Sequence, residues 1–144
     1  MPALAAVAAA AAAAVDAPAP KLGAFVQFIN EIREASATAP LLSPRRFSQA
    51  LHIDLQTLAA QAKVHRNTLT RSPGARELQD FMRSALRVIK AATDVNGDVD
   101  RALFWYRNEP LSEFGYKSAE QLVCDGRTED VLRYLVAVEA GAAG

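Results

Sequence analysis

The sequence predicts an all-α protein. Apolar residues recur at intervals of three and four residues along most of the chain after residue 22, which is the spacing of one helix face. Residue types that begin or end helices separate these stretches. No segment alternates apolar and polar residues as a half-buried strand does. These three observations favour a helical core in this chain of 144 residues.

Composition excludes several classes of protein. Alanine supplies much of the 51% hydrophobic content, and no apolar stretch reaches the length of about 18 residues that a membrane helix needs. The single cysteine, Cys124, cannot form an internal disulfide, and two histidines beside it cannot complete a structural zinc site. We therefore expect a cytoplasmic protein that has no metal or other cofactor and no membrane partner. No catalytic constellation can be assembled, so an enzyme is not expected.

Three segments differ in character. Residues 1–21 form an Ala/Pro-rich arm, predicted to be flexible because its alanine run has no polar face and ends in a Pro-rich stretch. A secretory signal is the alternative, but no Lys or Arg precedes the run. We assign residues 22–94 to a first helical domain and residues 95–144 to a second.

The elements of the first domain follow from apolar faces and caps. A helix is predicted over residues 24–35. Ser43 followed by Pro44 is typical of an N-cap and a first helical position, so a short helix begins there. Asp54 caps the next helix. A further short helix is expected around residues 66–71.

A long helix is predicted next, from about Pro73 to Ala92, and the second domain follows it. Asp98 is expected to cap a helix over residues 99–108. Ser118 opens a capping box ahead of a short helix. The last helix is expected to start with Thr128 as its cap and to end at Gly141. Tyr116 is expected to pack around the preceding loop.

Charge is unevenly distributed although the formal net charge is zero. Residues 43–90 carry a net charge of +6, whereas residues 91–144 carry −5. A basic segment attracts polyphosphate, and an acidic one is suited to a basic protein surface. Solvated helix faces that arose by chance are the alternative explanation.

Residues 54–73 are predicted to form two short helices joined by a tight turn. Ala59 is small where the second helix would cross closely, and Val64 and Leu69 would fill the space between the helices. This segment resembles the Xre/Cro-type helix-turn-helix family. Lys63 takes the place of the turn glycine of many family members, so a left-handed conformation is expected there at some energetic cost. The resemblance implies that the second helix binds DNA. Its outward residues are His65, Arg66, Asn67, Thr70 and Arg71.

The second domain contains, in order, a Trp-containing helix, an Asn-x-Pro-Leu turn at 108–111, a short capped helix ending in Asp125-Gly126 and an apolar last helix. This order of parts resembles the toxin-binding domain of Xre/MbcA/ParS-like antitoxins. Many members have proline where this chain has Ala119. The two modules in this order together cover about 100 residues of the chain.

The resemblance implies an antitoxin of a type II toxin–antitoxin system. Its partner would be a RES-domain toxin that degrades NAD⁺, and it would cover the toxin's NAD⁺ site. It would also repress its own promoter by binding operator DNA as a homodimer. We expect these residues to contact the toxin: Trp105, Arg127, Glu139, Gly141 and Gly144.

Alternatives remain open at this point. Trp105 also suits a core position, because its spacing is helical. A stand-alone dimeric helix-turn-helix repressor without a toxin would share the basic segment. A structural adaptor would use the second domain without sequence-specific DNA binding.

Overall fold

A computed structural model describes residues 22–33 and 41–143. In these ranges the chain is helical, and it has no β-strand apart from two isolated bridges, between Arg33 and Leu42 and between Leu111 and Lys117. The all-α prediction is confirmed for this part of the chain. The predictions for residues 1–21 and for Gly144 lie outside the described residues. None of the described helices has the length and apolar content needed to cross a bilayer.

The helices follow one another with short connections. They are α1 (Leu22–Ile32), α2 (Pro44–Leu51), α3 (Leu55–Ala62), α4 (Arg66–Arg71), α5 (Arg76–Asn96), α6 (Val99–Asn108), a short 3-10 helix (Ser112–Phe114), α7 (Ala119–Cys124) and α8 (Thr128–Ala143). The described residues form two compact units: an N-terminal unit of residues 26–84, and a C-terminal unit of residues 85–143 with 22–25. The boundary predicted after residue 94 lies inside α5, whereas the units divide at Ala85.

Local caps begin the short helices of the N-terminal unit. The Ser43 hydroxyl accepts a hydrogen bond of 3.2 Å from the backbone N–H of Arg46, and Pro44 occupies the first position of α2. The Asp54 carboxylate accepts one of 2.6 Å from the N–H of Thr57 at the start of α3. Each cap satisfies a helix N–H that has no partner within the helix. Both predicted caps are therefore confirmed.

The core of the N-terminal unit is formed by the inner faces of these helices. Its buried apolar side chains include Ile32, Leu42, Phe47, Leu51, Leu58, Leu69, Leu78 and Met82. Burial of each large aliphatic side chain stabilises the fold by roughly 1.5–3 kcal/mol. This packing holds α3 and α4 in place although each is too short to be stable alone.

The C-terminal unit has a separate set of caps and core residues. Asp98 accepts a hydrogen bond at the start of α6, and Ser118 and Gln121 form the predicted capping box of α7. Trp105 is only 5% exposed and belongs to the core. Other buried side chains are Val88, Ile89, Ala102, Tyr106, Leu111, Leu122, Val131, Leu135 and Val138.

Three helices differ from their predicted bounds. α1 spans Leu22–Ile32 rather than residues 24–35, and residues 34 and 35 lie outside the described residues. α5 begins at Arg76 rather than near Pro73, because Ala75 donates to the Ser72 carbonyl in a turn. It continues to Asn96, past the predicted end at Ala92, and stops where Gly97 adopts a φ of +74°.

The last helix also differs at both ends. The Arg127 carbonyl accepts from the N–H of Val131, so Arg127 precedes α8 and Thr128 is its first residue rather than its cap. Gly141 lies within the helix, which runs to Ala143. Alanine is the strongest helix former, and two alanines follow this glycine.

Candidate nucleic-acid interface

A tight turn joins α3 to α4. Lys63 has a φ of +59° and ends α3, its N–H bonds the Ala60 carbonyl, and the N–H of Val64 bonds the Ala59 carbonyl at 3.0 Å. These two bonds are the pattern of a Schellman motif, which usually uses glycine at the left-handed position. The left-handed conformation expected for Lys63 is thus present, at a cost of about 1 kcal/mol.

α4 begins with an uncommon cap. The Nδ1 atom of His65 accepts a hydrogen bond of 3.1 Å from the backbone N–H of Asn67. Thr70 donates its hydroxyl to the Asn67 carbonyl at 3.2 Å. Leu69 is 5% exposed and packs inward. Leu69 is therefore the buried side chain of the helix, Thr68 is half-buried, and the other four side chains are exposed.

The five residues predicted to contact DNA are all exposed. Arg66 and Thr70 lie one helical turn apart, as do Asn67 and Arg71, so the four share one outer face of α4. His65 precedes them at the N-cap. Arginine can bond guanine bidentately and asparagine can bond adenine, so this face presents the groups that read bases in a major groove.

The cations of α2 to α4 are mostly unpaired. Among the described residues, no carboxylate forms an ion pair with Arg45, Lys63, Arg66 or Arg71. Asp54 is the one acidic residue between positions 43 and 76 of the sequence. Hydrogen bonds from Thr57 lower the pKa of that carboxyl, with a smaller contribution from Arg66. The surface around α4 therefore carries uncompensated positive charge.

A cleft of about 440 Å³ opens between the N-terminal turn of α2 and α4. Its lining includes Ser43, Arg45, Arg46, Leu69, Thr70 and Pro73. The sequence placed the two arginines in the basic segment but gave no reason to place them beside α4. Only the packing of α2 against the unit reveals that arrangement.

The buried side chain of Gln79 fixes both walls of this cleft. Its Oε1 accepts from the N–H of Leu42 at 3.0 Å, and its Nε2 donates to the Leu42 carbonyl at 2.8 Å. The same Nε2 donates to the Pro73 carbonyl at 2.8 Å. Leu42 precedes α2 and Pro73 follows α4, so one amide ties together the segments that flank the cleft.

Four of the residues predicted to bind a toxin are described by the structure, and they differ in position and exposure. Trp105 is buried, which leaves little of its surface for a partner. Arg127 is exposed, pairs with Asp130 at 2.9 Å and lies 5.1 Å from the ring centre of Phe114. Glu139 and Gly141 are exposed near the other end of α8, roughly 18 Å from Arg127 at the helical rise. Gly144 lies outside the described residues.

Other apolar side chains of the C-terminal unit are exposed instead. Phe104 and Tyr116 are each 67% exposed, and Val136 is 66% exposed. The expectation that Tyr116 packs around its loop is therefore wrong, because most of its side chain is exposed to solvent at a turn where its backbone has a φ of +65°. The helical spacing of α6 alone did not distinguish Phe104 from its buried neighbour Trp105.

A small aromatic cluster lies beside α8. The rings of Phe114 and Tyr134 meet edge to face at 5.9 Å between centres. Burial, together with the charges of Glu113 and Glu109, raises the pKa of Tyr134 to about 12. Its hydroxyl is buried without a hydrogen-bond partner among the described residues.

The two units thus present different chemistry. The N-terminal unit presents hydrogen-bond donors and cations around α4, and the C-terminal unit presents apolar side chains among acidic groups. Within the described ranges, no three His, Cys, Asp or Glu side chains are grouped so that they could hold a metal ion. Comparison of the chain with protein-family models, with curated proteins and with solved structures finds no match.

Proposed function

We propose that this protein is a DNA-binding regulator that acts as an antitoxin. In this proposal α3, its turn and α4 form a helix-turn-helix that binds operator DNA, and the C-terminal unit binds and inhibits a toxin. The observation that supports the proposal most directly is the outer face of α4. It carries exposed Arg and Asn side chains, and no carboxylate in the described chain neutralises its cations.

Operator binding follows from the chemistry of that face. α4 would lie in the major groove, with Arg66 and Asn67 at its N-terminal end nearest the bases. Arg71 and Thr70 follow on the same face one turn later. A homodimer would present two such helices to half-sites spaced about one turn of DNA apart.

The toxin-binding role rests on the resemblance of residues 99–141 to antitoxin domains, and two features support it. Phe104, Tyr116 and Val136 expose apolar surface of the kind that protein interfaces bury. Several exposed or half-exposed carboxylates form no ion pair with a described residue, namely Asp100, Glu109 and Glu139. An acidic surface of this kind suits a basic nucleotide-binding cleft, such as the NAD⁺ site of a RES-domain toxin.

The decisive experiment is co-expression with the product of the adjacent reading frame. We expect that protein to co-purify with this chain, and cellular NAD⁺ to fall only when this chain is omitted. If nothing co-purifies and NAD⁺ does not change, the stand-alone repressor becomes the better account, since it needs only the surface of α4.

The end of α8 offers a narrower test of the inhibitory mechanism. Residues 141–144 are only glycine and alanine, so this segment has side chains small enough to enter a nucleotide pocket. Deletion of residues 141–144 should therefore weaken inhibition of the toxin. Full inhibition by the shortened chain would show that this segment does not block the pocket.

A further inference from the structure

We propose that the cleft between α2 and α4 is a subsite for the sugar–phosphate backbone of DNA, and that Arg45 is its phosphate-contacting residue. The inference rests on the proposed DNA binding and extends it from the outer face of α4 to a second helix. It assigns a role to a residue for which the sequence offered none.

Two adjacent arginines line the cleft, but only Arg46 uses its side chain for hydrogen bonds to the protein backbone. Arg46 donates from one guanidinium nitrogen to the carbonyl of Arg33 at 3.1 Å and towards that of Glu31 at 3.5 Å. These carbonyls lie at the end of α1, where a cation is favoured by the helix dipole. Arg45 is exposed, and its side chain makes no hydrogen bond or ion pair with any described residue.

The position of Arg45 suits a phosphate. Thr70 lies on the opposite wall of the cleft and belongs to the outer face of α4. A helix in the major groove has a phosphate backbone on each side, and most protein–DNA hydrogen bonds go to those backbones. Arg45, across the cleft from the outer face of α4, therefore lies where a DNA strand would pass. Among the described residues that line the cleft, none carries a carboxylate that would repel that strand.

The cleft is also preorganised. Gln79 bonds the backbone of Leu42, next to the start of α2, and that of Pro73, just after α4. Because one buried amide sets the separation of these segments, Arg45 is held near α4 before DNA arrives. A contact of this kind avoids part of the ordering cost of binding.

The test measures how DNA affinity depends on salt. Duplexes of about 30 base pairs would tile the DNA upstream of this chain's reading frame, and fluorescence anisotropy would give the affinity at several salt concentrations. Arg45→Ala should reduce the slope of log affinity against log salt by about 0.9, which corresponds to roughly eightfold weaker binding at about 0.1 M salt. Arg45→Lys should retain the wild-type slope, because it keeps the charge.

Arg83→Ala is the matched control, because Arg83 is an exposed arginine of the same unit that already pairs with Asp80. It should leave the slope unchanged. If Arg45→Ala leaves the salt slope unchanged, or if Arg83→Ala lowers it equally, the phosphate contact is overturned. DNA binding by the wild-type chain would in that case still support the proposed function. Failure of the wild-type chain to bind any duplex would overturn both.

Neutral methylphosphonate linkages in the best-binding duplex would locate the contact. Replacement of the phosphate that contacts Arg45 should weaken DNA binding by the wild-type chain by the same factor as the Arg45→Ala substitution does. The same replacement should not further weaken DNA binding by the Arg45→Ala variant. If every substituted position weakens both proteins equally, Arg45 contacts no individual phosphate and the proposal fails.

Discussion

The cations of the C-terminal unit differ from those of α2 to α4 in whether a carboxylate pairs with them. In the C-terminal unit every described Lys and Arg side chain has a carboxylate partner, as in the pairs Arg87–Glu129 and Lys117–Asp125. On α2 to α4 of the N-terminal unit, Arg45, Lys63 and Arg71 have none among the described residues.

This difference does not serve stability. Exposed ion pairs contribute about 0–1 kcal/mol, so pairing the cations of the C-terminal unit stabilises it little. Leaving cations unpaired has a larger effect on the field outside the protein, because no nearby negative charge cancels it. The position of the carboxylates, rather than the number of cations, therefore sets how much uncompensated positive charge each surface presents to solvent.

The largest effect should come from disrupting the packing that supports the unpaired cations. Leu58 is fully buried in α3. Leu58→Ala should lower the free energy of unfolding by about 2–5 kcal/mol and abolish DNA binding at ambient temperature. Urea denaturation would measure the loss. Val136→Ala, at an exposed position, should change it by less than about 0.5 kcal/mol. Equal effects of the two substitutions would contradict the assigned core.

The next largest effect should be on operator binding, where substitutions of unpaired and paired arginines are compared. Arg66→Ala or Arg71→Ala should each weaken operator binding by about 1–3 kcal/mol, or roughly 5- to 150-fold, because each removes a base or phosphate contact. Arg101→Ala, which removes an arginine paired with Asp98, should leave operator binding unchanged. Toxin inhibition should survive all three. A folded variant that loses both activities would contradict the division of roles between the units.

A smaller effect is expected at the turn between α3 and α4. Lys63 is left-handed, and glycine adopts that conformation without steric cost. Lys63→Gly should therefore be more stable than Lys63→Ala by about 1 kcal/mol, with the charge lost equally in both. Thermal unfolding of the two variants would test this. Equal melting temperatures would mean that the turn stores no such strain.

The smallest effect at neutral pH concerns Tyr134. Its pKa in the folded protein is raised to about 12 by burial and by Glu113 and Glu109, above the usual value of about 10. The stability it contributes is present below pH 10 and is lost as pH rises from about 10 towards about 12. Tyr134→Phe should match wild type at pH 7 and resist alkaline unfolding better. Urea denaturation would measure the free energy of unfolding of both proteins from about pH 10 to about pH 12. If it falls equally in wild type and in Tyr134→Phe, the prediction is contradicted. Tyr106, whose pKa burial also raises, remains in both proteins.

Local signals allowed much of the fold to be predicted. Ser43-Pro44, Asp54 and Ser118 each specify a helix start through bonds to residues within three positions, so they are readable in the sequence. The end of α8 could not be predicted in this way, because a glycine ends a helix only where the residues after it adopt a non-helical conformation.

The candidate site was less predictable for a similar reason. Helical spacing on α4 was sufficient to identify its outward residues, since Leu69 marks the inner face. The contrast between exposed Phe104 and buried Trp105 depends on which neighbours pack against α6. The placement of Arg45 beside α4 depends on contacts between distant segments, and no local pattern records these.

The amide of Gln79 has a consequence for how this region folds and how it could be shortened. It bonds Leu42 across 37 residues of chain, so it closes a loop that contains α2, α3 and α4. Closing such a loop is entropically costly and is rewarded only once the helices inside it have packed. This bond should therefore form late in folding. Any excised fragment of the N-terminal unit would have to retain both Leu42 and Gln79, because without either residue this loop could not be closed.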